Sequence, residues 1–132
     1  PGAAAAALWA TLQKFPLVKG GEFANRLEHS LAAARGLTQL LEDEGYWVMD
    51  PALDICVFSK KGLKASEVSA WNREFFEDQA RAGVHLALFK LAPAQCPWPV
   101  EWDQDELVVV RSVLMKPEHN DPKLWEKIAG LA

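Results

Sequence analysis

The chain has 132 residues, half of them apolar and 24% charged, with a formal net charge of −4 at pH 7. That length suits one domain burying roughly two-thirds of its unfolded surface, and the composition excludes wholesale disorder. The 14 basic residues are dispersed, the densest spot being the short turn-like Ser59 to Lys64. This pattern excludes a nucleic-acid reader, which needs clustered Lys and Arg to meet phosphates.

In chain order, the alanine-rich segment from Gly2 to Phe15 predicts a first helix, with Leu8, Leu12 and Phe15 spaced four and three apart. It lacks a polar face and wants cover on all sides. Pro16 and the Gly20-Gly21 pair end it. A second helix is predicted from about Glu22 to Asp43, about 33 Å long, with Phe23, Leu27, Leu31, Ala34 and Leu41 on one stripe that Leu37 and Leu40 widen. Gly45 is its expected C-terminal cap.

Two short strands follow, Tyr46 to Met49 and Leu53 to Ser59, split by Asp50-Pro51. The consecutive apolar residues Ile55 to Phe58 suggest a strand covered on both faces. A third helix is predicted from Ser66, as N-cap, to Ala82, its inner face marked by Val68, Trp71, Phe75, Phe76 and Gln79. Val84 to Leu91 and Glu106 to Met115 read as strands, separated by a loop, Ala92 to Asp105, holding three prolines and two tryptophans. Asp121 followed by Pro122 signals the start of a last helix with Leu124, Ile128 and Leu131 on its apolar stripe. The order α-α-β-β-α-β-β-α predicts a two-layer α+β domain, with helices on one face of a mostly antiparallel four-stranded sheet.

The chemistry-bearing residues are few. Cys56 and Cys96 cannot make a disulfide framework or a four-ligand zinc site. A single bridge between them stays open, with a reducing, cytoplasmic compartment as the default. No stretch reaches the ~18 apolar residues of a membrane helix, and the Ala3 to Ala10 run lacks the basic flank of a signal peptide. The opening Pro1-Gly2, without an initiator Met, leads to the expectation that something upstream has been removed. His29, His85 and His119 fall in a helix, a strand and a polar loop, with no second ligand at metal-binding spacing. Neither a phosphate-cradling Gly-Lys-Ser/Thr ending nor a nucleophile elbow occurs, and Glu42, Asp43 and Glu44 read as a solvated helix end.

Arg111 is out of place. Strand alternation puts it on the same face as Leu107, Val109, Val113 and Met115. A charge on an apolar face must find an anion or cover an edge, and the planar fork of arginine suits a carboxylate held by two hydrogen bonds. An internal salt bridge or an extension of the side chain to solvent are the structural alternatives. Of the six tryptophans, Trp71 and Trp125 fit helix stripes, whereas Trp98 and Trp102 in the proline-rich loop suggest a partner-facing plug.

Several segments resemble the group II pyridoxal-phosphate-dependent amino acid decarboxylases. They are Pro1-Gly2-Ala3 through Thr11, Leu17-Val18-Lys19-Gly20, Pro51-Ala52-Leu53-Asp54-Ile55-Cys56-Val57-Phe58, Gly83-Val84-His85-Leu86, and Val110-Arg111-Ser112-Val113-Leu114-Met115-Lys116-Pro117. The resemblance runs over nearly the whole chain. It implies a connecting helix and turn over residues 1–21 and a C-terminal small domain over 22–132 of a fold-type I enzyme. It further implies a homodimer joined to a large cofactor-binding domain, acting on an L-amino acid of the aromatic, glutamate or diaminobutyrate type. Arg111 matches an arginine that contacts the substrate carboxylate in some members. The family's Schiff-base lysine follows a histidine, and no His-Lys pair occurs here. The resemblance therefore implies pyridoxal 5'-phosphate in the parent enzyme, none bound to this chain, and an inactive isolated chain, with neither nucleic acid nor membrane as partner. Two other readings remain at this stage: a free-standing small-molecule-binding α+β module anchored by Arg111, and a protein-interaction domain using the loop tryptophans.

Overall fold

The computed structural model describes residues 2–131; Pro1 and Ala132, the outermost residues of the two expected units, lie outside the described residues. The expected order holds throughout: α1 (Gly2–Lys14), α2 (Glu22–Asp43), β1 (Trp47–Val48), β2 (Ile55–Ser59), α3 (Ala65–Arg81), β3 (Ala87–Leu91), β4 (Leu107–Val113) and α4 (Pro122–Ile128). The strands form one antiparallel sheet in the order β1-β2-β4-β3. The last strand in sequence therefore lies between its two predecessors.

Local signals account for the element ends. Gly45 takes a left-handed φ of +83°, which glycine adopts without strain, just past Glu44, the C-cap of α2. The chain then returns Tyr46 N–H to the Leu41 carbonyl at 2.9 Å. Asp121 accepts the Lys123 N–H at 3.0 Å, with Pro122 as the first helical residue of α4.

Helix α3 departs from expectation. Its N-cap is Lys64, not Ser66. The Ser66 N–H is bonded at 2.9 Å by Asp103 from the proline-rich loop, so a distant carboxylate replaces the local cap.

The helix-facing side of the sheet holds the larger core, where Ala33, Ala34, Leu37 and Leu41 of α2 meet Cys56, Phe58, Val110 and Leu114, closed by Ile128 and Ala129. Within the described residues of α2, burial begins only at Ser30. Phe23 and Leu27, placed on the same apolar stripe, are exposed, and no residue of α1 is buried, with Leu12 half-buried and Trp9 66% exposed. The cover α1 was expected to need is not supplied by the described chain.

The opposite face is covered at one end only. Here Leu91, Val100, Leu107 and Val109 join Ala65 and Val68, with Trp47, Met49, Val57, Trp98 and Trp102 packed against them. Trp98 stacks on Trp47, ring centres 5.6 Å apart and planes 7° from parallel, so the loop tryptophan expected to face a partner folds back on its own sheet. Beyond that end the face is open. Ile55 is exposed, correcting the expectation that β2 is covered on both sides.

Candidate functional site

Arg111 sits where this cover runs out. It pairs in register with Val57 of β2 on one side and Ala87 of β3 on the other. Alternation places it on the open face with Val109 and Val113. Ile55 and Phe89, both exposed, share that face by register with Val113 and Val109. The guanidinium thus stands in an apolar field at the middle of the sheet.

Its side chain is half-buried, and its Nε is sealed from solvent with no hydrogen-bond partner among the described residues. Among the described residues the ion pairs are Arg26–Glu22, Arg81–Asp78 and Lys90–Glu106, and none involves Arg111. The internal salt bridge considered from sequence is therefore not made within the described chain. A buried N–H without an acceptor costs about 1–3 kcal/mol; the sealed Nε is itself out of reach of an external anion, which could meet only the terminal nitrogens of the half-buried fork.

The remaining candidates divide. Cys56 is buried and free, its thiol pushed up to about 11 by burial, partly offset by Thr38 3.6 Å away and reinforced by Glu42. Such a thiol is not a nucleophile at neutral pH. Cys96 is free and half-buried, so the single bridge left open from sequence is not formed. Asp43 accepts a bond from Gln39 at 3.0 Å on an exposed surface, as expected of a solvated helix end.

His29 is exposed on α2, its Nδ1 3.4 Å from the Asn120 amide. Among the described residues no group of three His, Cys, Asp or Glu is placed to hold a metal ion, and no helix is long and apolar enough to cross a membrane.

His85 and His119, assigned to a strand and a loop, come together on one cleft with Lys127 and Ser112. No local spacing signals this grouping, because it joins the turn before β3, the end of β4 and the last helix.

The residues of the described chain do not fit pyridoxal phosphate. Every lysine is exposed, and none follows a histidine to make the family's Schiff-base motif. The chain matches no family model, no curated protein and no solved structure.

Proposed function

We propose that this chain is the C-terminal small domain of a pyridoxal-phosphate-dependent L-amino acid decarboxylase, whose open sheet face lines the active-site wall and whose Arg111 orients the substrate carboxylate. The observation that carries the reading is the half-buried Arg111 guanidinium, set on an uncovered apolar face without an ion-pair partner among the described residues. A carboxylate arriving there would meet a planar fork with two parallel N–H donors in surroundings that exclude water on one side. The cofactor and its lysine would belong to the rest of the enzyme, and the isolated chain would be inactive. The exposed apolar surface of α1 and the first turns of α2 would lie against that larger body or a second subunit.

The test starts with the polypeptide as its cell makes it. Its intact mass should be several-fold above 14.6 kDa, and it should release carbon dioxide from an L-amino acid. Arg111→Ala should lower kcat/KM about tenfold to a hundredfold, the loss expected for a charge-assisted hydrogen-bonded pair. A native product of 14.6 kDa would overturn the reading. An unchanged kcat/KM would remove Arg111 from the site.

A free-standing anion-binding module is the second reading. It is favoured by the two hydrophobic clusters, which close between elements of this chain without help from another domain. Saturable binding of a carboxylate at Arg111 by a native 14.6 kDa protein would place it first.

A further inference from the structure

On the helix-facing side of the sheet, away from Arg111, the turn from α3 into β3 and the end of β4 meet α4 around a cleft of about 340 Å³. Its lining includes Ser112, His85, His119 and Lys127, with Leu124 and Ile128 as apolar wall. No carboxylate is among the lining residues. Ser112 is only 4% exposed and lines the cleft.

His119 is oriented from two sides. Its backbone carbonyl accepts the Trp125 indole N–H at 2.8 Å, and its Nδ1 accepts the Lys116 N–H at 3.4 Å. With Nδ1 as acceptor, the neutral ring carries its proton on Nε2 and can donate from there. The cleft is thus lined by a serine, two histidines and a lysine, with no carboxylate among its lining residues.

We infer that this cleft binds a small tetrahedral oxyanion of the phosphate monoester class, held by Ser112, His119 and Lys127, with His85 at its edge. The site is independent of the role given to Arg111, which lies on the other face of the sheet.

Titration of the chain with inorganic phosphate, followed through the histidine ring resonances, tests it. Saturable shifts at His85 and His119 are expected. Lys127→Gln and Ser112→Ala should each raise the apparent Kd about tenfold, the scale of one charge-assisted hydrogen bond. Lys123→Gln, which removes an exposed lysine on the same helix outside the cleft, should leave it unchanged. Ser112→Ala should also leave the unfolding midpoint in place, because the hydroxyl it deletes has no hydrogen-bond partner among the described residues. Absence of saturation, equal weakening by Lys123→Gln, or acetate binding as tightly as phosphate would each overturn the assignment.

Discussion

Asp103 accepts the backbone N–H of Ser66 at 2.9 Å and is also bonded by the Ser66 hydroxyl, tying the proline-rich loop to the first turn of α3. Its neighbour Glu101 brackets the same turn, accepting from Ala65 N–H at 2.9 Å and donating its own N–H to the Leu63 carbonyl at 2.8 Å. A carboxylate at a helix N-terminus satisfies an otherwise orphaned donor and sits favourably in the helix dipole.

The two bonds from Ser66 hold the Asp103 carboxyl below its ordinary value. A depressed carboxylate contributes stability above its unfolded value and loses it as pH falls through the folded one. Asp103→Asn should therefore flatten part of the acid limb of the stability curve. It should also speed amide exchange at Ser66 and in the loop 92–106. An acid limb and exchange pattern identical to those of the parent chain would mean that the clamp is idle.

Gly36 offers a test of packing against propensity. Alanine in a helix interior is worth about 1 kcal/mol over glycine. A Cβ at Gly36, however, would stand 2.2 Å from the Trp125 ring, which the bond to the His119 carbonyl holds in place. Gly36→Ala should therefore destabilise by about 1–3 kcal/mol in urea unfolding. In a Trp125→Leu background the same change should become neutral or stabilising. Stabilisation in the otherwise unchanged chain would show that the ring moves aside freely.

Cys56 links burial to alkaline stability. Its thiol is pushed up to about 11, chiefly by burial, from an ordinary value of 9.0. Above the ordinary value the unfolded chain releases this proton while the folded chain keeps it, so the unfolded state gains. Stability should fall from about pH 9 to about pH 11, by on the order of 3 kcal/mol, and level off beyond as far as this group is concerned. Tyr46, raised by burial and by Glu44, adds a decline in the same direction. Cys56→Ala should lower stability at neutral pH yet decline less steeply in alkali; parallel curves would contradict the account.

Arg111 is expected to cost the isolated chain stability. Among the described residues its Nε has no partner to lose, and no carboxylate pairs with it. Arg111→Met keeps the apolar stem and removes the unsatisfied donor. It should leave the unfolding free energy within about 1 kcal/mol or raise it. A loss above about 2 kcal/mol would mean that the guanidinium serves the fold rather than a ligand.

What could be read from the sequence is what short-range physics dictates. Apolar periodicity located α2 to its observed ends, Gly45 marked its left-handed exit, and Asp121-Pro122 marked the start of α4. The alternation along β4 placed Arg111 against the character of its face, and the sheet keeps it there.

The tertiary structure alone decided which strands are neighbours, with β4 set between β2 and β3, and hence which face stays open. It also decided that Asn72, absent from the expected inner face of α3, is buried there with bonds of 2.8 Å to Ser59 and the Val108 carbonyl. The same holds for the convergence of His85, Ser112, His119 and Lys127 on one cleft. Pairing, polar satisfaction and site assembly join residues far apart in the chain. Their energies arise only when the folded backbone brings those groups within hydrogen-bonding or packing distance, beyond the few residues over which φ/ψ preference and periodicity act.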